Sequence, residues 1–161
     1  MKILNIITTV VFTIGIYSNA YSQDFRKSNF GDPIKKVKMI EGVPYDEFVR
    51  ELDSAKCIIY NGKLDGINTY VLFTFKDDKF IRGAYDLTNS DSLNKTSFIQ
   101  FNTIEKLLIN KYGLPSKSID FRTNEKFNKE VQLASEWYLD KIKISHTLFT
   151  TNFHIVDYEY K

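Results

Sequence analysis

Cysteine is almost absent from this chain. Its 161 residues include one, Cys57, so neither an intramolecular disulfide nor a cysteine-rich zinc site can form. Histidine occurs twice, at His146 and His154, and two imidazoles without a clear third ligand fall short of a zinc site. An excess of one charge is also missing. The 22 Lys and Arg against 20 Asp and Glu give a net +2, without the basic surplus that an electrostatic nucleic-acid binder carries. The seven glycines form no phosphate cradle, and no run has calcium-loop spacing. No metal or other cofactor is therefore expected, and nucleic acid is not an expected partner.

Apolar and aromatic side chains are what the chain does contain. Hydrophobic residues make up 43% and aromatics 15%, with 13 Phe and 10 Tyr against one Trp. That content is too high for a disordered chain, and the length suits one domain with a proper core.

The first residues read as an address. Met1-Lys2 is a short positive start, Ile3 to Ile16 is uncharged and apolar, and Ala20-Tyr21-Ser22 has the small-x-small form of a cleavage site. The apolar stretch falls short of the about 20 residues that span a bilayer. We expect a signal peptide over residues 1–22, export to the periplasm or beyond the cell, and no stable membrane insertion after cleavage. Loss of Lys2 takes the basic count from 22 to 21 against 20 acidic residues, a net +1 for residues 23–161.

That remainder reads as a single α+β domain. Asp32-Pro33 suits a helix start, Ile34, Val37 and Ile40 share a face, and Gly42 with Pro44 ends the helix. Tyr45, Phe48, Val49 and Leu52 have helical spacing and predict a second short helix. Strands follow at Cys57–Tyr60, Asn68–Lys76 and Lys79–Thr88, with turns at Asn61-Gly62 and Asp77-Asp78. Phe98, Phe101, Ile104, Leu107, Leu108 and Tyr112 then mark a longer helix, which Gly113 and Pro115 close. The polar stretch Ser116–Gln132 reads as a long connection. Strands at Ser135–Asp140, Ile142–Phe149 and Asn152–Tyr160 complete the chain. The expected object is an antiparallel sheet with helices packed on one face. Helix-then-strands occurs twice, over 30–88 and 96–161, which suggests two tandem repeats.

Phe25-Arg26, Gly31-Asp32, the Tyr70–Tyr85 hairpin, Lys111-Tyr112-Gly113-Leu114-Pro115 and Trp137 together resemble the pattern of a group of uncharacterised exported bacterial proteins. More loosely, the architecture is similar to β-lactamase-inhibitor proteins and to small outer-membrane-assembly lipoproteins. Those bind other proteins through sheet or loop surfaces, which the resemblance implies here too. Unlike the lipoproteins, this chain has no cysteine near its expected cleavage site.

Sites for chemistry are few. Cys57 lies in an apolar strand-like run and reads as a small buried hydrophobe. With a two-residue turn at Thr150-Thr151, His146 opposes Ile155 and has Asp157 as a diagonal neighbour, while His154 lies on the other face. A loop one residue longer would bring both histidines onto one face. Asp77-Asp78 reads as an ordinary solvated turn. In the central hairpin, a turn at Asp77-Asp78 pairs Tyr70 with Tyr85 and leaves neither face polar, so each face asks for a cover. Tyr70, Tyr85 and Trp137 are the candidate binding residues, as aromatics of the type that anchor interfaces.

No catalytic residues are assigned. The function expected is that of an exported, non-catalytic binding protein of the bacterial envelope, taking a protein or a small ligand on an aromatic sheet face. The alternatives are a small hydrolase using His146 with Asp157, and a purely structural envelope component.

Overall fold

The computed structural model describes residues 25–87, 94–120, 131–149 and 153–161. The expected signal peptide lies outside them. An eight-residue helix, α1 (Ile34–Glu41), precedes four strands: β1 (Asp46–Val49), β2 (Lys56–Leu64), β3 (Ile67–Lys76) and β4 (Lys79–Asp86). A longer helix, α2 (Asn94–Tyr112), precedes four more: β5 (Lys117–Asp120), β6 (Val131–Tyr138), β7 (Ile142–Phe149) and β8 (His154–Tyr160). The eight described strands form one antiparallel sheet in the order β1-β2-β3-β4-β8-β7-β6-β5. The class is α+β, as expected.

Each half of the sheet is a meander, and the last strands of the two halves pair in the middle. Asp77 and Asp78 both take positive φ (50° and 61°), which gives the tight β3–β4 turn the twist that a hairpin needs. The β2–β3 turn falls at Asp65-Gly66, with φ of 50° and 81°, rather than at Asn61-Gly62. Asn61 and Gly62 continue β2, pairing with Tyr70 and Thr69. Gly62 is needed there for space, since a Cβ would sit 2.5 Å from Val71 Cγ2.

The expected second short helix is not formed. Asp46–Val49 is strand β1 at the sheet edge, and turn residues follow it. Its apolar residues are exposed rather than lining a helix face: Tyr45, Phe48, Val49 and Leu52 all face solvent. The stretch Ser116–Gln132 likewise contains a strand, β5, which closes the opposite edge. At α1 the cap differs from the Asp32 expected. Asp78 Oδ1 accepts the Ile34 N–H (3.2 Å), while Asp32 accepts from the Asn29 N–H. The hairpin turn thus holds the start of the helix.

Both helices and the Phe25–Pro33 segment cover one face of the sheet. On that face lie Ile58, Tyr60, Val71, Phe73, Phe75, Phe80, Tyr85, Trp137, Ile144, Val156 and Tyr158, all buried with Val37, Ile104 and Leu108 of the helices. Phe25 seats its ring over Gly83, with Phe73 at 5.2 Å, Tyr85 at 5.0 Å and Tyr158 at 5.1 Å between centroids.

A bulge between Thr74 and Phe75 sorts the hairpin faces. Beyond it, Tyr85 pairs with Val71 and Tyr70 with Asp86, one residue off the uninterrupted register. A one-residue shift turns every later side chain of β4 to the other face. Gly83, Tyr85 and Leu87 therefore join Phe73 in the core, and Arg82, Ala84 and Asp86 join Tyr70 on the open side. Tyr70 and Tyr85 are not cross-strand neighbours but lie on opposite faces.

Candidate functional site

Three buried polar residues, Ser135, His146 and His154, lie together under α2. Leu148 pairs with His154 and His146 with Val156, so the β7–β8 connection is one residue longer than a two-residue turn, and both histidines project from the covered face. Their Nε2 atoms lie 2.7 Å apart. His146 Nδ1 lies 2.8 Å from Glu105 Oε2, and Ser135 Oγ donates to Glu105 Oε1 at 2.7 Å. Ser118 Oγ, on the edge strand, is 2.8 Å from Ser135 Oγ. Because the Ser135 proton is committed to the carboxylate, the Ser118 hydroxyl donates to Ser135. Phe101 stacks on His146, with ring centroids 3.9 Å apart and planes 8° from parallel.

The partners fix the tautomers. A carboxylate only accepts, so His146 donates from Nδ1 and presents a bare Nε2, to which His154 donates from its own Nε2. His154 Nδ1 is then an unprotonated nitrogen, and no described group bonds it. Leaving an acceptor bare is cheaper than leaving a donor or a charge. Burial lowers the pKa of His146, opposed by Glu105. Burial, and secondarily His146, push His154 down to about 3. Both rings are neutral at physiological pH.

A cleft of about 310 Å³ adjoins this network, lined by Glu105, Ser118, Asp120, Ser135 and the Phe101 ring among others. Of the Glu105–His146–His154 chain, Glu105 lines it and the two buried histidines do not. The arrangement can hold protons in a fixed order but is poorly set for nucleophilic catalysis. Both nitrogens of His146 are engaged, by a carboxylate and by another imidazole, so neither can take a proton from a hydroxyl. The expected partner of His146, Asp157, lies on the opposite face. It pairs with Ser145 in register and accepts from Arg82 Nε at 2.7 Å. Among the described residues, no group of three or more His, Cys, Asp and Glu could hold a metal.

The three aromatic candidates do not form one patch. Tyr85 is 8% exposed and Trp137 1%, both within the core. Trp137 Nε1 donates to the Gly113 carbonyl (2.8 Å), which ties the end of α2 to β6. Tyr70 is 40% exposed on the open face, with its ring 5.4 Å from that of Tyr45. The nearby Tyr45 hydroxyl raises the Tyr70 pKa. Beside them the register places Ile59 opposite Leu72, both half-buried, and Phe48 opposite Cys57. Tyr45 and Phe48, with exposures of 62% and 43%, were missed as surface residues because their spacing reads as a helix face. Cys57 is buried, as expected.

No family model matches the chain, and no curated protein matches it. A solved structure, a DUF4309 family protein (YjgB) from Bacillus subtilis subsp. subtilis str. 168, is similar at a TM-score of 0.47 with 11% identity. The match covers 80% of this chain and 78% of that one. A likeness of that grade carries no argument about function. β-Lactamase-inhibitor proteins and assembly lipoproteins do not enter into it.

Proposed function

We propose that this protein is an exported, non-catalytic binding protein of the bacterial envelope, and that it meets a protein partner on the open sheet face around Tyr70. The observation that carries this reading is the apolar surface of Tyr45, Phe48 and Tyr70, bordered by Ile59 and Leu72, on the face that no described helix covers. Aromatic side chains presented on a rigid sheet give large contact area at small cost in conformational entropy. The Arg82–Asp157 ion pair lies on the same face and would give such a surface a polar margin.

The start of the chain supports export, through its positive, apolar and small-x-small segments. No described helix is long and apolar enough to cross a membrane. The order helix-then-four-strands, met twice and joined at β4 and β8, supports reading the fold as tandem repeats. The buried Glu105–His146–His154 chain serves as a structural polar core under this reading.

The test is retention of a partner from envelope extract on immobilised protein. Wild type should retain a discrete protein, and Tyr70→Ala with Tyr45→Ala should lose it while keeping the wild-type unfolding midpoint. Retention unchanged by that double variant would overturn the assignment.

A further inference from the structure

Strand β1 is an open edge, and its sequence is complementary to itself. No described strand pairs with its outer side. The Arg50 N–H bonds the Ala55 carbonyl (2.8 Å), so by alternation Phe48 also directs its backbone groups to β2. Glu47 and Val49 therefore point theirs outward. In agreement, the carboxylate of Asp46 accepts the Glu47 N–H (2.8 Å). In and beside this strand Tyr45, Phe48, Val49 and Leu52 are exposed.

We propose that two copies of this chain join by antiparallel pairing of β1 with β1, centred on Phe48, so that the two sheets become one. In that register Glu47 and Val49 of each copy exchange backbone hydrogen bonds with Val49 and Glu47 of the other, and the Asp46 carboxylate releases the Glu47 N–H as it turns to the other copy's arginine. Phe48 meets Phe48, and Asp46 meets Arg50, twice by symmetry. Both meetings fall at non-hydrogen-bonded positions, where side chains come closest. All these side chains lie on the open face, so the ion pairs form on one side of the sheet. Glu47 brings no unmatched charge, because Lys38 and Lys56 of its own chain hold it. Arg50 already grips Asp53 through Nε and Nη2, leaving its Nη1 for the second carboxylate. Phe48 belongs to this seam and to the face around Tyr70, but the pairing is argued from the outward backbone groups and the Asp46 and Arg50 charges of the edge, which the reading of that face does not use.

Sedimentation equilibrium of the purified protein tests it. Wild type should show a closed dimer in reversible exchange with monomer. Asp46→Arg or Arg50→Asp alone should raise the dimer Kd about tenfold or more, from lost attraction and new repulsion at two sites. The double variant D46R/R50D should restore dimerisation, which a merely structural role for either residue would not. Val49→Pro removes an outward N–H without touching a bond to β2, and should leave a folded monomer. Wild type remaining monomeric to about 1 mM would overturn the proposal. So would a dimer that survives V49P, or open-ended assemblies, which would indicate head-to-tail pairing of β1 with β5.

Discussion

His146 Nε2 and His154 Nε2 share one hydrogen bond, 2.7 Å long, in a region where both rings are sealed from water. Two imidazoles can share such a bond only while one nitrogen is bare. Acid would add its proton at the bare His154 Nδ1, which is buried with no described partner, so the charge formed there is uncompensated and destabilises the fold.

That gives a pH dependence with a definite sign. Burial holds both folded-state pKa values below the ordinary imidazole value, His154 at about 3. Once unfolded, each titrates near about 6.5. Below that value the unfolded chain takes up protons that the folded chain refuses, so stability is present above about pH 6.5 and is lost on acidification. The slope is at most about 1.4 kcal/mol per pH unit for each histidine. Urea midpoints measured between about pH 7 and about pH 4 should fall steadily. In His154→Gln, which keeps a donor toward His146, the fall should be shallower, and an unchanged pH profile in that variant would refute the assignment.

Glu105 anchors the chain from the other end. Its two oxygens take the Ser135 hydroxyl and the His146 Nδ1–H. Glu105→Ala strands both donors, and should cost about 2–4 kcal/mol by chemical denaturation. Glu105→Gln keeps an oxygen for His146, and its amide can donate to Ser135 if the serine pair reverses. Its cost should be nearer 1 kcal/mol, or about half that of the alanine variant at most.

Gly83→Ala tests the seat of Phe25. A Cβ there would lie 2.5–2.7 Å from three ring atoms of Phe25. The ring has no room to retreat among Phe73, Phe80, Tyr85 and Tyr158. Overpacking should cost about 1–3 kcal/mol and expose the segment around Phe25 to limited proteolysis.

Core and surface aromatics should separate cleanly in stability measurements. Trp137→Ala empties a buried site and frees the Gly113 carbonyl, for a loss of about 3–5 kcal/mol. Tyr70→Ala should change stability by less than about 0.5 kcal/mol. Equal losses from the two would contradict their placement on opposite sides of the sheet.

Much of this was legible in the sequence, and the failures have a common cause. The stripe Phe98–Tyr112 and the punctuation at Gly113 and Pro115 gave α2, and the Asp77-Asp78 turn gave the hairpin, because periodicity and turn chemistry are local. Register is not local. The single extra residue at the Thr74/Phe75 bulge reversed the faces of Tyr85 and Arg82, and one more residue between β7 and β8 brought the histidines together. A signal for the second existed, since His146 and His154 share a face as soon as that loop grows by one. Glu105 gave none: nothing along the chain links a helix carboxylate to a strand 41 residues later. Tyr45 to Leu52 misled because edge-strand residues carry no burial pattern to set against a helical spacing.

The claim that the open face around Tyr70 is a binding surface is tested most directly by site-specific photocrosslinking in intact envelopes. A benzophenone side chain would replace Tyr70, Tyr45 or Phe48 in turn, with exposed Leu114, beyond the end of α2, as the control position. One discrete adduct with another protein, distinct in mass from a crosslinked dimer of this chain, is expected at the three sheet positions and not at the control. No adduct from the sheet positions, or the same adduct from Leu114, would contradict it.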